Sequence, residues 1–95
     1  MDEMTFEWDE HKRRINLGKH EIDFEDAIGI FEGPVFVRRS DRDAEERFVA
    51  VGEVEGRVVA VVYTIRGESY RIISARRGRK NEQRDFYDRK AAPGG

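Results

Sequence analysis

The sequence predicts an α+β fold in which a four-stranded antiparallel meander carries two N-terminal helices and a short C-terminal helix. Three observations support this fold class. Apolar residues recur at helical spacing after Asp23, four segments between residues 35 and 77 are rich in strand-forming residues, and only two residues separate the last three of those segments. The expected order of elements is β-α-α-β-β-β-β-α, with the helices packed against the sheet.

The first two elements are predicted from the region before residue 20. Thr5–Trp8 is short and rich in strand formers, and Asp9 is a suitable N-cap for a helix over residues 9–19. We expect Trp8, Ile15 and the stem of Lys12 to share the inner face of this helix. The chain is therefore expected to pass directly from a strand into a helix.

The clearest helical pattern follows Asp23, which provides the next N-cap. Four apolar residues share the spacing i, i+3, i+4 and i+7 that places them on one helix face: Phe24, Ala27, Ile28 and Phe31. Gly33-Pro34 then ends the helix.

Four strands are predicted after this helix. Residues 35–39 form a first strand, and the polar segment over 40–45 is expected to be a mobile loop. Three strands over 47–54, 57–66 and 69–77 follow, joined by two-residue links that favour antiparallel hairpins.

Two of these strands carry further information. Val58–Val62 is apolar without alternation, so both of its faces should be covered and its strand should be central. Strict alternation in the last strand predicts two sets of side chains, one on each face: Tyr70, Ile72, Ser74 and Arg76, and Arg71, Ile73 and Ala75. Basic and apolar residues are mixed in both sets, so alternation alone does not identify a functional face.

The length of 95 residues fits one domain, because a chain this short cannot divide its buried surface between two cores. We place the domain at residues 1–90, with a short helix from Asn81, and residues 91–95 as a flexible tail. The composition of 38% hydrophobic and 11% aromatic residues supports a small core, although 40% of the residues are charged.

The net charge of −2 is unevenly distributed along the chain. Residues 1–46 contain 7 basic and 14 acidic side chains, and residues 47–95 contain 11 basic and 6 acidic ones. Six bases and one acid lie within residues 66–80, and most of these bases are arginines, whose planar fork suits phosphate. The alternative interpretation is an ordinary solvated face of the sheet.

The composition also disfavours several classes of function. The chain has no cysteine, which excludes a disulfide scaffold, a thiol nucleophile and an iron–sulfur site. His11 and His20 lack metal-ligand spacing and there is no phosphate-binding glycine loop, so we expect no metal and no cofactor. No apolar run is long enough to span a membrane and the acidic start is unlike a secretory signal, so a cytoplasmic location is expected.

Two sequence motifs are distinctive in their order and spacing. A Trp-Asp to Lys-His segment covers residues 8–20, and Arg-Ile-Ile-Ser-Ala-Arg covers residues 71–76. Weaker matches accompany them: Phe6-Glu7, Lys12, Asn16, Phe24, Ala27, Glu46-Arg47, Val61-Val62-Tyr63-Thr64 and Arg66. Over residues 5–87 this pattern resembles the BrnT toxins of type II toxin–antitoxin systems. Glu21 departs from the pattern, which often has glycine there, and is expected to place a carboxylate beside the candidate site.

The resemblance implies a RelE-like ribonuclease fold, RNA cleavage that inhibits translation, and neutralisation by a cognate BrnA-type antitoxin. It also implies that DNA is contacted only through the antitoxin, in a complex that represses its own operon. Paired units in the family's complexes favour a homodimer within the complex. The apolar segment Val35–Arg39, expected at a sheet edge, is our candidate for the antitoxin interface.

Metal-independent RNA cleavage needs a base for the 2′-hydroxyl proton, an acid for the 5′-oxygen and cations around the phosphorus. Five residues are the catalytic candidates: Lys19, His20, Glu46, Arg66 and Arg76. Arg66 and Arg76 lie near the ends of neighbouring predicted strands, so they can converge on one phosphate if the register allows. The base and the acid are left open among Lys19, His20 and Glu46.

Four further residues are predicted to bind RNA: Arg47, Tyr63, Arg71 and Arg77. Simpler interpretations exist for some candidates: His20 as a helix-terminal histidine, Glu46 as half of a surface ion pair, and Tyr63 as a core residue. A second class of function therefore stays open. It is a non-catalytic module that binds nucleic acid or an acidic partner and acts in operon autoregulation.

Overall fold

The computed structural model describes residues 4–91, which form five strands and three α-helices. The elements in chain order are β1 Thr5–Trp8, α1 Glu10–His20, α2 Phe24–Ala27, β2 Phe36–Arg39, β3 Phe48–Val54, β4 Arg57–Arg66, β5 Ser69–Arg77 and α3 Lys80–Ala91. A 3-10 helix, Ile28–Glu32, continues α2. Ala91, predicted to begin the tail, ends α3, and the rest of the predicted tail lies outside the described residues.

The two N-terminal helices begin where their capping residues predict. The Asp9 side chain accepts hydrogen bonds from the backbone N–H groups of His11 and Lys12, and Asp23 accepts one from Glu25. The second helix is α-helical for only four residues before it tightens into the 3-10 form. Both caps are thus confirmed, and the single predicted helix over 24–31 is two short helices.

The sheet has five strands in the order β1-β5-β4-β3-β2, with β4 at its centre. Strands β2 to β5 form the predicted antiparallel meander, and β1 pairs in parallel with the outer edge of β5, from Thr5 opposite Ser69 to Trp8 opposite Ile72. The prediction of a four-stranded antiparallel sheet is therefore wrong in strand number and in being purely antiparallel. The alternation within a short strand does not indicate which distant edge it will pair with, so β1 could not be placed from its own residues.

Both faces of the sheet are covered, as the apolar sequence of β4 predicts. On the first face, α2 and the 3-10 helix bury Phe24, Ala27 and Ile30 against the strands. On the second face, called the α3 face here, Phe86 packs with an apolar cluster from the strands: Val49, Val51, Val58 and Ala60. Gly52 permits the close approach on the first face, because a Cβ atom there would lie 2.7 Å from the Cβ of Ile30.

The turns between strands are compact. The Glu55-Gly56 turn has positive φ angles at both residues, 50° and 78°, as a two-residue hairpin favours. The predicted loop over 40–45 is closed by two backbone hydrogen bonds between Arg42 and Glu45, of 3.0 and 2.8 Å. This segment is therefore the tip of the β2–β3 hairpin rather than an open loop.

None of the helices within residues 4–91 has the length and apolar character needed to span a membrane.

Candidate active site

One face of α1 carries most of the candidate chemistry at the N-terminal end of the chain. Lys12, Asn16, Lys19 and His20 are spaced i, i+4, i+7 and i+8, so their side chains share a helix face. Together with three further residues they line an open groove of about 180 Å³ between α1 and β5: Ile15, Ile73 and Ser74. We call this the α1–β5 groove.

Asn16 attaches α1 to the edge of β5. Its Nδ2 atom donates to the carbonyl oxygens of Ala75 and Ile22, at 2.9 and 3.0 Å, and its Oδ1 atom accepts from the N–H of Ala75 at 3.1 Å. Strand β1 pairs with β5 only as far as Ile72, so this side chain satisfies backbone groups that a longer strand would have bonded. Lys19 and His20 are thereby held one turn beyond an anchored residue.

The prediction that Ile15 faces the core is wrong, because Ile15 is 55% exposed and Asn16 is buried instead. A buried asparagine is hard to anticipate from hydropathy, since its burial depends on three backbone partners that only the fold supplies. The stem of Lys12, also expected inside, belongs to an exposed residue that lines the groove.

A β-bulge in β5 determines which side chains face the groove. Val62 lies opposite Ser74 while Tyr63 lies opposite Ile72, so Ile73 is an additional residue in β5. The bulge reverses the alternation after Ile72 and places Ser74 on the α3 face. The predicted grouping of Tyr70 and Ile72 with Ser74 and Arg76 is therefore wrong.

As a consequence of the bulge, Arg71, Ser74 and Arg76 share the α3 face. Arg71 lies opposite Thr64, and Arg76 lies opposite Ala60, a member of the apolar cluster under α3. The Arg71 guanidinium donates to the Glu7 carboxylate at 3.0 Å. Two arginines thus lie on either side of Ser74, which is itself part of the groove lining.

Arg76 is also part of a buried ion cluster with Glu82 at the start of α3. The Glu82 carboxylate accepts two hydrogen bonds from Arg76, at 2.7 and 3.0 Å, and one each from the Arg38 side chain and the Arg79 backbone N–H, both at 2.8 Å. The Glu82 side chain is only 5% exposed. These hydrogen bonds, above all those from Arg76, lower the pKa of Glu82 to about 2. We call this arrangement the Glu82 cluster.

Arg66 does not meet Arg76, so the predicted two-arginine phosphate site is wrong. Arg76 lies opposite Ala60, and Arg66 is six residues further along β4, which separates the two backbones by about 20 Å. Arg66 is exposed at the β4–β5 turn, where it lies opposite Ser69.

Glu46 is also outside the groove. Its carboxylate lies 2.8 Å from the Arg39 guanidinium, and Arg39 lies opposite Phe48, which packs against the core of the first face. The residues that line the groove come from α1 and β5, whereas β3, which follows Glu46, lies two strand spacings or about 10 Å away from β5. The structure therefore does not bring Glu46 to His20.

Tyr63 is a core residue rather than an RNA-stacking one. It is 5% exposed, and its ring stacks between Tyr70 and Phe48 with centroid distances of 4.9 and 5.5 Å. Burial raises the pKa of its phenol. The predicted contact between Tyr63 and RNA bases is wrong, because the aromatic cluster leaves no ring face for a base.

The remaining predicted arginines differ in position. Arg77 lies opposite Val59 on the first face and lines a separate cleft that also contains Glu21, and neither residue lines the α1–β5 groove. Glu21 follows His20 of the groove directly in the chain and lines this separate cleft. Arg47 is half-buried and pairs with Glu45 at 2.7 Å. Of the predicted site residues, Lys19 and His20 line the groove, and Arg71 and Arg76 lie on β5, the strand that forms one of its walls.

The Glu21 position has a backbone explanation. Glu21 is the C-cap of α1 and adopts a left-handed conformation with φ of 58°, and its N–H donates to the carbonyl of Leu17. Glycine is the residue most suited to this conformation.

Three polar residues of the groove were not predicted as site residues: Lys12, Asn16 and Ser74. The helical spacing of Lys12 with Lys19 was available as a signal, whereas the position of Ser74 depends on the bulge. Within residues 4–91, no cluster of three or more histidine, cysteine, aspartate or glutamate side chains is suited to hold a metal ion.

Comparison with known proteins identifies the family. The model of the family described as "Ribonuclease toxin, BrnT, of type II toxin-antitoxin system" matches residues 8–82. The chain belongs to the BrnT family. The match includes α1, the bulged strand β5 and Glu82, so every residue of the groove lies within it. The resemblance inferred from the two motifs is confirmed.

A solved structure supports the same assignment. The ribonuclease toxin BrnT of Brucella abortus, determined by crystallography at 1.1 Å, is 31% identical to this chain with a TM-score of 0.63. The similarity covers 82% of this chain and 100% of the Brucella chain. No curated protein sequence matches the chain. The α+β fold with three helices and a five-stranded mixed sheet is thus that of a BrnT ribonuclease toxin.

Proposed function

We propose that this BrnT family member cleaves single-stranded RNA in the α1–β5 groove, without a bound metal, and thereby inhibits translation. The observation that carries this proposal is the groove itself. It places the His20 imidazole, the Lys19 ammonium group and the Ser74 hydroxyl in one concave surface, and two arginines lie on the same sheet face as the hydroxyl. This is the set of groups that proton transfer and phosphate binding require.

His20 is the group best suited to move a proton in this groove, because imidazole accepts and donates protons near neutral pH. In the proposed reaction His20 takes the proton of the 2′-hydroxyl, the 2′-oxygen attacks the phosphorus, and the bond from phosphorus to the 5′-oxygen breaks. Lys19 donates a proton to the departing 5′-oxygen. The products are a 2′,3′-cyclic phosphate and a 5′-hydroxyl.

Arg76 and Ser74 stabilise the phosphate during this step. Two N–H bonds of the Arg76 guanidinium, Nε–H and one on Nη2, have no acceptor among residues 4–91 and are available to the phosphate. The Glu82 cluster fixes the orientation of the guanidinium before substrate binds, which reduces the reorganisation needed in the transition state.

The test is cleavage of a labelled single-stranded RNA by purified, antitoxin-free protein in excess EDTA. We expect the wild-type protein to cleave, His20→Gln to lose at least about 100-fold in rate, and His11→Gln to cleave like wild type. His11 is the matched control because it is an exposed histidine of the same helix that does not line the groove. Equal rates for the two variants, or activity that EDTA abolishes, would overturn the proposed mechanism.

The second candidate function is a binding module without catalysis. Lys12 and Lys19 favour it, because both are exposed bases of the groove and binding to an anion needs only their charge. RNA binding by the wild-type protein with no cleavage at any pH would establish this function and exclude the ribonuclease.

We propose a BrnA-type antitoxin as the cognate partner, with DNA contacted only through that complex, and a cytoplasmic location. Strand β2 is an edge strand, and a cleft between it and α3 is lined in part by Phe36, Val51 and Phe86. Val37 on this strand is 48% exposed. We expect antitoxin to slow amide exchange in residues 36–39, and unchanged exchange would place the interface elsewhere.

A homodimer within the complex is part of the same proposal. A sheet edge offers unpaired backbone groups that a second copy can bond. Light scattering of the purified complex is expected to give a molar mass that corresponds to two toxin chains per complex. A molar mass that corresponds to one toxin chain would contradict the proposal.

A further inference from the structure

We propose that Lys12 and Lys19 form a two-phosphate track along α1, so that the α1–β5 groove binds a strand of RNA extending beyond the cleaved bond. This inference rests on the proposed function and adds the class of substrate, a single strand longer than a dinucleotide. It assigns to Lys12 a role in substrate binding that is separate from the chemical step.

The two lysines are placed for this role by helix geometry. They are seven residues apart, which is two turns and about 10 Å along the helix axis, and both line the groove. His20 lies beside Lys19 at one end of the groove lining. Lys12 is therefore positioned to contact a different phosphate from the one that reacts.

The local ion pairs leave both ammonium groups available. Arg13, next to Lys12, pairs with Glu10 and with Asp23, whereas Lys12 and Lys19 pair with no carboxylate within residues 4–91. The nearby Asp9 carboxylate is engaged by two backbone N–H groups of the helix cap. The two acids nearest to Lys12 in the sequence, Asp9 and Glu10, thus each have a bonded partner.

The shape of the groove favours one strand over a duplex. Its walls are a single helix and the bulged part of a single strand, with Ile15 and Ile73 as the apolar residues of the lining. Ile15 is 55% exposed, so its side chain is accessible to an unstacked base. A single strand presents both a phosphate chain and free base faces to such a surface, whereas the bases of a duplex are stacked inside.

The experiment measures binding of a 2′-deoxy-substituted, uncleavable single-stranded oligonucleotide at several salt concentrations. We expect Lys12→Gln to weaken binding and to lower the slope of log K against log salt by about 0.7, the effect of losing one phosphate contact in a single strand. Arg14→Gln is the matched control, because Arg14 is an exposed base two residues away on the opposite side of α1. It should leave the slope unchanged.

A second readout separates binding from chemistry. With a long RNA, Lys12→Gln should raise KM and leave kcat unchanged, and with a dinucleotide it should change neither, since a dinucleotide does not reach Lys12. If Lys12→Gln has the same salt slope as Arg14→Gln, or if duplex RNA binds as tightly as the single strand, the proposed two-phosphate track is wrong. If the wild-type protein neither binds nor cleaves RNA, the proposed function itself fails, which is a distinguishable outcome.

Discussion

The α1–β5 groove and the Glu82 cluster use similar side chains for different purposes. In the groove, Lys12 and Lys19 are exposed and have no carboxylate partner within residues 4–91. In the cluster, Arg76 and Arg38 both bond a carboxylate that is 5% exposed. Available charges can bind a ligand, whereas charges already compensated in the interior hold elements together. The comparison assigns the recognition of a ligand to α1. It assigns to Glu82 the role of attaching α3 to the sheet.

Arg76 belongs to the Glu82 cluster but shares a sheet face with Ser74 of the groove, and this complicates its use as a test of catalysis. It lies on the sheet face of Ser74, yet most of its hydrogen bonds hold the start of α3. Removing Arg76 takes two of the four hydrogen bonds from the buried Glu82 carboxylate, so loss of activity in that variant does not distinguish chemistry from unfolding. Residues that belong to only one region give clearer results.

The largest expected effect is on the cluster. Glu82→Gln removes the buried carboxylate that binds two guanidinium groups, so the free energy of unfolding should fall by about 3 kcal/mol. Glu53→Gln is the control, because Glu53 ties the other end of α3 through Lys90 at the surface and its loss should cost less than about 1 kcal/mol. Urea denaturation measures both. Equal losses would show that the Glu82 cluster is no stronger than a surface pair.

The cluster also predicts sensitivity to acid. The pKa of Glu82 is lowered from 4.5 to about 2, so the folded state binds the proton more weakly than the unfolded state does. Its stabilisation is present above pH 4.5 and is lost as the pH falls toward 2, by an amount on the order of 3 kcal/mol. Denaturation curves across this range should show a smaller decrease for Glu82→Gln than for wild type, and parallel curves would contradict the assignment.

An intermediate effect is expected at the groove. Asn16→Asp keeps an acceptor for the Ala75 N–H but loses the donor to Ala75 and Ile22, so stability should fall by about 2 kcal/mol. The rate of RNA cleavage should also fall, even at temperatures well below the unfolding temperature, because Lys19 and His20 lose their anchored position. Asn81→Asp, at an exposed asparagine of α3, should change neither quantity. Full cleavage by folded Asn16→Asp would show that Asn16 does not position the groove.

Much of the fold could be predicted from the sequence because the signals are local. Asp9 and Asp23 cap helices through neighbouring backbone groups, and the two-residue links determine the antiparallel meander. The pairing of β1 with β5 could not be predicted, since it joins residues more than sixty positions apart and neither strand encodes the other's register.

The candidate site was only partly predictable for a related physical reason. His20 and Lys19 were found because they are adjacent bases in the Lys-His motif, but the side-chain directions in β5 depend on one additional residue at Ile73. A bulge reverses every later side chain of a strand, so Ser74 and Arg76 moved to the face of Arg71. Arg66 and Glu46 were misplaced because proximity to a strand end does not give the distance between two side chains.

The most direct test of the α1–β5 groove compares His20→Gln with Glu46→Gln in the RNA cleavage assay. Both residues were credible proton-transfer groups from the sequence, but only His20 lines the groove, and Glu46 is exposed beside Arg39. We predict that His20→Gln loses at least about 100-fold in rate and that Glu46→Gln remains within about 3-fold of wild type. A folded Glu46→Gln without activity, together with an active His20→Gln, would contradict the groove as the active site.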